Sequence, residues 1–162
     1  EAYAYAAIVC AKVVVCGVGN SVALALSLAA RGYEMAALAA LFPVLSGISQ
    51  ISSKIKPEGE SENENRKTAL AYADIPAASE RQVKKMLVQA VKNLPSVTTP
   101  LLLLHNDAIS KNEHQSLQKY FAKVESPEKE LLLLPAANPA ALIRKDNHGG
   151  QALVSFIQRN LG

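Results

Sequence analysis

The chain has no tryptophan, few other aromatic residues and few charges, and these shortages exclude several classes of protein. Only 5% of its 162 residues are aromatic and only 19% are charged. The lysines and arginines are not grouped beside aromatic residues, so we expect no nucleic-acid binding. Since 49% of the residues are hydrophobic, intrinsic disorder is excluded for the chain as a whole. This length and composition predict a single globular domain over residues 1–162.

Cysteine is also scarce. Cys10 and Cys16 lie in apolar sequence, and their spacing is typical of neither a metal site nor a disulfide framework. We therefore expect both side chains to be small and buried, with no metal bound, in a reducing compartment inside a cell. No secretory signal peptide is visible, and because the first residue is Glu1 rather than methionine we expect the domain to be incomplete at its N-terminus.

Short apolar runs alternate with amphipathic stretches along the chain, which predicts an α/β fold with a parallel sheet of about four strands flanked by helices. Two sequence capping boxes, Ser79 with Gln82 and Ser110 with Glu113, predict helix starts. The polar segment within residues 48–76 predicts a loop. The predicted strands lie at residues 13–18, 35–42, 101–104 and 131–134, and the predicted helices at 2–11, 22–30, 79–94, 111–124 and 151–160.

Gly17 and Gly19 follow the first predicted strand and precede a helix, as in the turn of a dinucleotide-binding fold. The third glycine of that fingerprint is replaced by Val22, so nucleotide binding is an alternative interpretation with a weak motif. Residues 13–30 also carry no charge and reach the lower length limit of a membrane-spanning helix. The glycines interrupt this stretch, and we therefore do not expect membrane insertion.

A family resemblance covers nearly the whole chain. The segment KVVVCGVGNSVALALSLAARGYEMAALAALFPVLSG resembles the nucleophile-elbow region of the α/β-hydrolase fold, in particular the monoacylglycerol lipase and carboxylesterase-like branch. ADIPAASERQVKKMLVQAVKNLPSVTTPLLLLHNDAIS resembles the cap helix and the strand before the catalytic acid, and ESPEKELLLLPAANPAALIRKDNHGGQALVSFIQRNL resembles the last strand, the histidine loop and the final helix. The resemblance implies the C-terminal half of such a domain, with segment 48–76 as a polar loop or the remnant of a cap.

The resemblance also assigns positions to the catalytic triad. In the motif G-x-S-x-G, Gly17 matches the first glycine, Gly19 matches the nucleophilic serine and Ser21 matches the last glycine. Asp107 matches the acid and Pro139 matches the histidine. Glycine has no nucleophile and proline cannot act as a base. The resemblance therefore implies a degenerate triad.

These positions predict a catalytically degenerate α/β-hydrolase-like protein with a structural or protein-interaction role, needing no cofactor. One alternative is an active serine hydrolase that uses Ser21, Asp107 and His148, and a second is a dinucleotide-binding domain that uses Gly17 and Gly19. For His105, His114 and His148 alike, we expect a surface or capping role.

The composition of the strand at residues 13–18 predicts that other polypeptide pairs with its outer edge. This strand is apolar throughout, and its outer edge presents unpaired backbone groups unless other polypeptide covers it. The covering polypeptide is the chain's own N-terminal part, another subunit or a second copy. We therefore expect the chain to be a subunit of a larger assembly.

Overall fold

A computed structural model describes residues 1–44, 77–135, 144 and 147–162. The predicted loop at 48–76 and the position of Pro139 lie outside these residues. The helices are α1 (Ala2–Val9), α2 (Ser21–Ala30), α3 (Ala77–Lys92), α4 (Lys111–Ala122) and α5 (His148–Leu161), and a 3-10 turn at Leu94–Ser96 follows α3. The strands are β1 (Val14–Val18), β2 (Ala37–Leu41), β3 (Leu101–Asn106) and β4 (Lys129–Leu134).

The strands form one parallel sheet in the order β1-β2-β3-β4, which confirms the predicted fold class. Because strand order follows chain order, each helix that connects two strands crosses over the sheet to the next position. The described chain contributes no strand outside β1, so β1 is an edge strand.

The two central strands are apolar on both faces because helices cover both faces. On one face, α2, α3 and α4 pack against Leu38, Leu101 and Leu103 to form the main core. On the other face, α5 packs Phe156 against Ala37 and Leu102. In the described chain, α5 is the helix whose side chains enter the core on this second face.

Capping explains where the helices begin. The box predicted at α4 is confirmed, since Ser110 Oγ accepts a hydrogen bond from Glu113 N (3.3 Å) and Ser110 N donates to Glu113 Oε2 (3.0 Å). The box predicted at Ser79 is wrong, because α3 already begins at Ala77 and Ser79 lies inside it. Alanine has the highest helix propensity, so the helix extends over residues 77 and 78.

The final helix also starts earlier than predicted. Asn147 Oδ1 accepts a hydrogen bond from Gly150 N (3.2 Å), so the helix begins at His148 instead of residue 151. Its other end is held by Lys12, whose Nζ donates to Leu161 O (2.7 Å).

The predicted burial of the cysteines is wrong. Cys10 follows α1, a helix with no buried residue, and Cys16 lies on the outermost strand. Both are exposed free thiols. Sequence hydrophobicity predicted burial because apolar residues are usually buried, and it gives no measure of how exposed a side chain on an edge strand is.

Candidate functional site

The carboxyl ends of parallel strands are where α/β proteins bind ligands, and here backbone hydrogen bonds tie all four ends together. Each bond joins a residue just beyond one strand to the last part of the next strand. The bonds run from Gly19 N to Leu41 O (2.8 Å), from Phe42 N to Leu104 O (2.8 Å) and from Asp107 N to Leu134 O (3.1 Å). The predicted turn at Gly19 and the predicted acid therefore lie along one edge of the sheet, with the end of β2 between them.

The tight turn from β1 into α2 is the centre of this site. Gly19 lies at its apex with a φ of +59°, in the left-handed region that glycine adopts without strain. A Cβ built on Gly19 meets no atom of the described residues within 4 Å, so among these residues it has open space around it. This is the geometry of an exposed elbow between a strand and a helix.

Gly17 serves the same turn in a different way. A Cβ on Gly17 would lie 2.7 Å from Val22 Cα and 2.9 Å from Val22 N. The missing side chain lets the first turn of α2 approach β1 closely. The nucleotide interpretation of Gly17 and Gly19 stays a prediction, but the strand–helix approach already explains why residue 17 is a glycine.

Ser21 is the first residue of α2, and its hydroxyl is engaged by the backbone of Val18. Val18 N donates to Ser21 Oγ (2.8 Å), and Ser21 Oγ donates to Val18 O (2.9 Å). The single hydroxyl proton is thus used in a local bond three residues back along the chain.

The side chain of Asn20, between Gly19 and Ser21, has a polar atom without a partner. Its Oδ1 is buried and makes no hydrogen bond within the described part of the chain. Asn20 occupies the N-cap position of α2 and forms no side-chain cap. No sequence pattern indicated this, because asparagine at an N-cap position normally caps the helix.

The end of β2 carries a residue in a rare conformation. Phe42 has a φ of +51°, the only non-glycine residue with positive φ among those described, and its ring meets the ring of His105 edge-on with centroids 6.0 Å apart. The sequence predicted neither feature, since a residue before proline normally adopts extended backbone and here Pro43 follows. His105 is half-buried, and its Nδ1 donates to Asn106 O (3.0 Å) because a carbonyl can only accept.

The other predicted site residues are spread over separate elements. Asp107 is exposed just after β3, His148 is exposed in the first turn of α5, and His114 lies on α4 beside Gln118. No hydrogen bond joins Ser21, Asp107 and His148 to one another in the described residues. The structure therefore places Gly17, Gly19 and Ser21 in one turn and leaves the remaining candidates on other elements.

No protein-family profile matches the chain, and no curated protein sequence matches it. A solved structure from work on LipS and LipT, two metagenome-derived lipolytic enzymes, is similar with a TM-score of 0.68 at 19% identity, over 97% of this chain and 69% of that chain.

Two further structures agree with this. The Pyrococcus furiosus esterase Pf2001 has a TM-score of 0.59 at 15% identity, over 93% of this chain and 54% of that chain. A soluble variant of the Saccharomyces cerevisiae monoglyceride lipase has a TM-score of 0.58 at 13% identity, over 99% of this chain and 64% of that chain. The chain has an α/β-hydrolase fold. It spans between about half and about two thirds of the length of these proteins.

The apolar stretch at 13–30 is divided between β1 and α2. Within the described ranges, no helix combines the length and the hydrophobicity that crossing a membrane requires.

Proposed function

We propose that this chain is a catalytically inactive α/β-hydrolase-like module with a structural or protein-interaction role in a larger assembly. The observation that carries the proposal is the conformation of Gly19. The elbow between β1 and α2 is present, but the residue at its left-handed apex has no side chain. An acyl-transfer site of this fold depends on a hydroxyl at that apex.

The position of Ser21 supports the same proposal. A serine becomes nucleophilic when a neighbouring base accepts its proton. The proton of Ser21 is donated to Val18 O instead, and its oxygen accepts from Val18 N. The proposed inactivity also rests on Pro139, which matches the family's histidine in the sequence.

We place the proposed module in a reducing compartment inside a cell. Cys10 and Cys16 are both free and exposed. Exposed thiols persist in a reducing environment and tend to be oxidised outside it.

Because the similar structures are those of lipolytic enzymes and an esterase, ester hydrolysis is the activity to test. A fluorophosphonate probe reports an activated serine directly, since the serine oxygen bonds to phosphorus and fluoride leaves. We expect no labelling of the wild-type chain, and hydrolysis of p-nitrophenyl acetate at the rate of the buffer alone. Ser27→Ala is the matched control, because Ser27 lies on the same helix and its hydroxyl donates to Ala23 O (2.7 Å).

The result that contradicts the proposal is specific. Labelling that disappears in Ser21→Ala and persists in Ser27→Ala, with both variants folded by circular dichroism, would establish Ser21 as a nucleophile. The active-hydrolase alternative with Asp107 and His148 would then replace the inactive module.

A further inference from the structure

Lys12 joins the start of the sheet to the end of the final helix. Its Nζ donates to Leu161 O (2.7 Å) and to Asn160 O (3.4 Å), both in the last turn of α5. The last carbonyls of a helix have no partner within the helix and carry a partial negative charge. An ammonium group at this position therefore supplies both hydrogen-bond donors and positive charge.

These bonds connect α5 to the β1 side of the sheet. Lys12 lies just before β1 and is separated from Leu161 by 149 positions in the sequence. Earlier in α5, Phe156 packs in a cluster that Val14 of β1 also contacts. The helix thus reaches β1 through a buried side chain at Phe156 and through the side chain of Lys12 at its end. Of these two contacts, the one at Lys12 depends on charge.

Lys129 holds the end of α4 in a similar way, but it is less accessible. Its Nζ donates to Val124 O (2.6 Å) and Phe121 O (3.3 Å), and it lies 5.3 Å from the centre of the Phe121 ring. Lys129 is half-buried, whereas Lys12 is exposed. A reagent in solution therefore reaches the amine of Lys12 more easily than that of Lys129.

Exposed lysines on α3 and α4 differ from both. Within the described ranges, no hydrogen bond or ion pair is formed by Lys85, Lys92, Lys111 or Lys119. Loss of charge at these positions would change the surface potential without breaking a contact. Lys12 combines an accessible amine with a contact that requires its charge.

We propose that Lys12 is an acylation site and that its charged amine acts as a clamp on the last turn of α5. The acyl donor is a thioester. The reaction forms an amide bond between the acyl carbon and Lys12 Nζ and breaks the acyl–sulfur bond. Of the two protons that the ammonium group loses, one goes to the departing thiol and one to solvent. The product is a neutral amide with a single N–H, which is a weaker donor than an ammonium group.

Clamping and acylation exclude each other. The amine of Lys12 has to leave the helix carbonyls before its nitrogen can attack an acyl donor. Once acylated, Nζ has neither the charge nor the number of protons to restore both bonds. Acylation therefore traps α5 with its last turn released, and this holds whether or not the chain is catalytic.

Acetyllysine in place of Lys12, introduced during synthesis of the full chain, tests the clamp. We expect amide protons in the last turn of α5 to exchange about fivefold faster than in the unmodified chain, the effect of a cation at a helix C-terminus. Lys12→Met should have the same effect. Lys12→Arg keeps the charge and the donors and should retain the wild-type rate.

Acetyllysine in place of Lys85 is the matched control. Lys85 is exposed on α3, so the same loss of charge there should leave exchange in α5 unchanged. Wild-type exchange rates with acetyllysine in place of Lys12 would overturn the clamp. Acceleration in Lys12→Arg as large as in Lys12→Met would overturn the role of charge.

The accessibility of Lys12 has a separate readout. The wild-type chain is incubated with the acetyl thioester of N-acetylcysteamine, and peptide mass spectrometry follows acetylation at each lysine. We expect Lys12 to be acetylated several times faster than Lys129, because Lys129 is half-buried and its amine also lies over the Phe121 ring. Acetylation of Lys129 at the same rate as Lys12, or faster, would contradict the assignment of Lys12 as the acylation site.

Both readouts are independent of the esterase test. Labelling of Ser21 by the fluorophosphonate probe would end the inactive-module proposal and leave the clamp at Lys12 unaffected. Unchanged amide exchange in α5 would remove the clamp and leave the proposed inactivity standing.

Discussion

Single residues in the turn after β1 determine what the site can do, and its two glycines are needed for different reasons. Gly17 leaves room for the backbone of Val22, while Gly19 adopts a backbone conformation that other residues rarely adopt. One glycine is needed for space and the other for its φ angle. Replacement by alanine should therefore lower the free energy of unfolding by different amounts at the two positions.

Replacing Gly19 by alanine should lower the free energy of unfolding by about 1 kcal/mol, the cost of a left-handed conformation for an L-residue. Replacing Gly17 by alanine should cost about 3 kcal/mol, because the new methyl would lie against backbone that cannot move aside. Urea denaturation of both variants measures the difference. A larger loss for Gly19→Ala than for Gly17→Ala would contradict the assigned roles.

Residue patterns predicted part of this site. Gly17, Gly19 and Ser21 were located by their spacing, since a turn between a strand and a helix is a local feature. The bond between Ser21 and Val18, the positive φ of Phe42 and the exposure of Cys16 were not predicted. The exposure of Cys16 depends on which segments lie beside β1. The bond between Ser21 and Val18 and the φ of Phe42 depend on local backbone angles that the residue types do not specify.

Among the helices, capping shows how far a short sequence pattern can be trusted. Ser79 and Ser110 are both followed three residues later by a residue that suits a capping box, yet only Ser110 caps a helix. The difference lies in the preceding residues. Two alanines precede Ser79 and continue the helix, whereas Ser110 has extended backbone with a ψ of 154°.

Replacing Ser110 by alanine should destabilise the chain by about 1 kcal/mol, the usual cost of losing an N-cap side chain. Ser79→Ala is the matched control, because Ser79 is exposed within α3 and alanine favours the helix. Thermal unfolding of the two variants tests this. Equal melting temperatures would show that the box at α4 contributes nothing to stability.

For the whole molecule, the two faces of the sheet are covered unequally. Three helices cover one face, and α5 packs on the other through Phe156, which is 2% exposed. This fold was predictable from sequence because parallel strands covered on both faces appear as short, continuous apolar runs. The sequence also predicted that β1 lies at an edge, and β1 is the first strand of the described sheet.

Replacing Phe156 by alanine should reduce the free energy of unfolding by about 3–5 kcal/mol, since it empties the main contact on the α5 face. Val154→Ala provides the control on the same helix, because Val154 is 44% exposed and its loss should change stability by less than about 0.5 kcal/mol. Denaturant titrations of both variants give the comparison. A loss for Phe156→Ala as small as that of the control would mean that α5 is not part of the stable core.

The open space around Gly19 also makes the chain a starting point for engineering. A Cβ added there has no atom of the described residues within 4 Å, so the main cost of a substitution is the left-handed backbone conformation at this position. Cysteine, histidine or a synthetic metal chelator are groups that could be attached at this position. A reactive or metal-binding group could thus be added at this turn, and the unmodified chain would serve as the negative control.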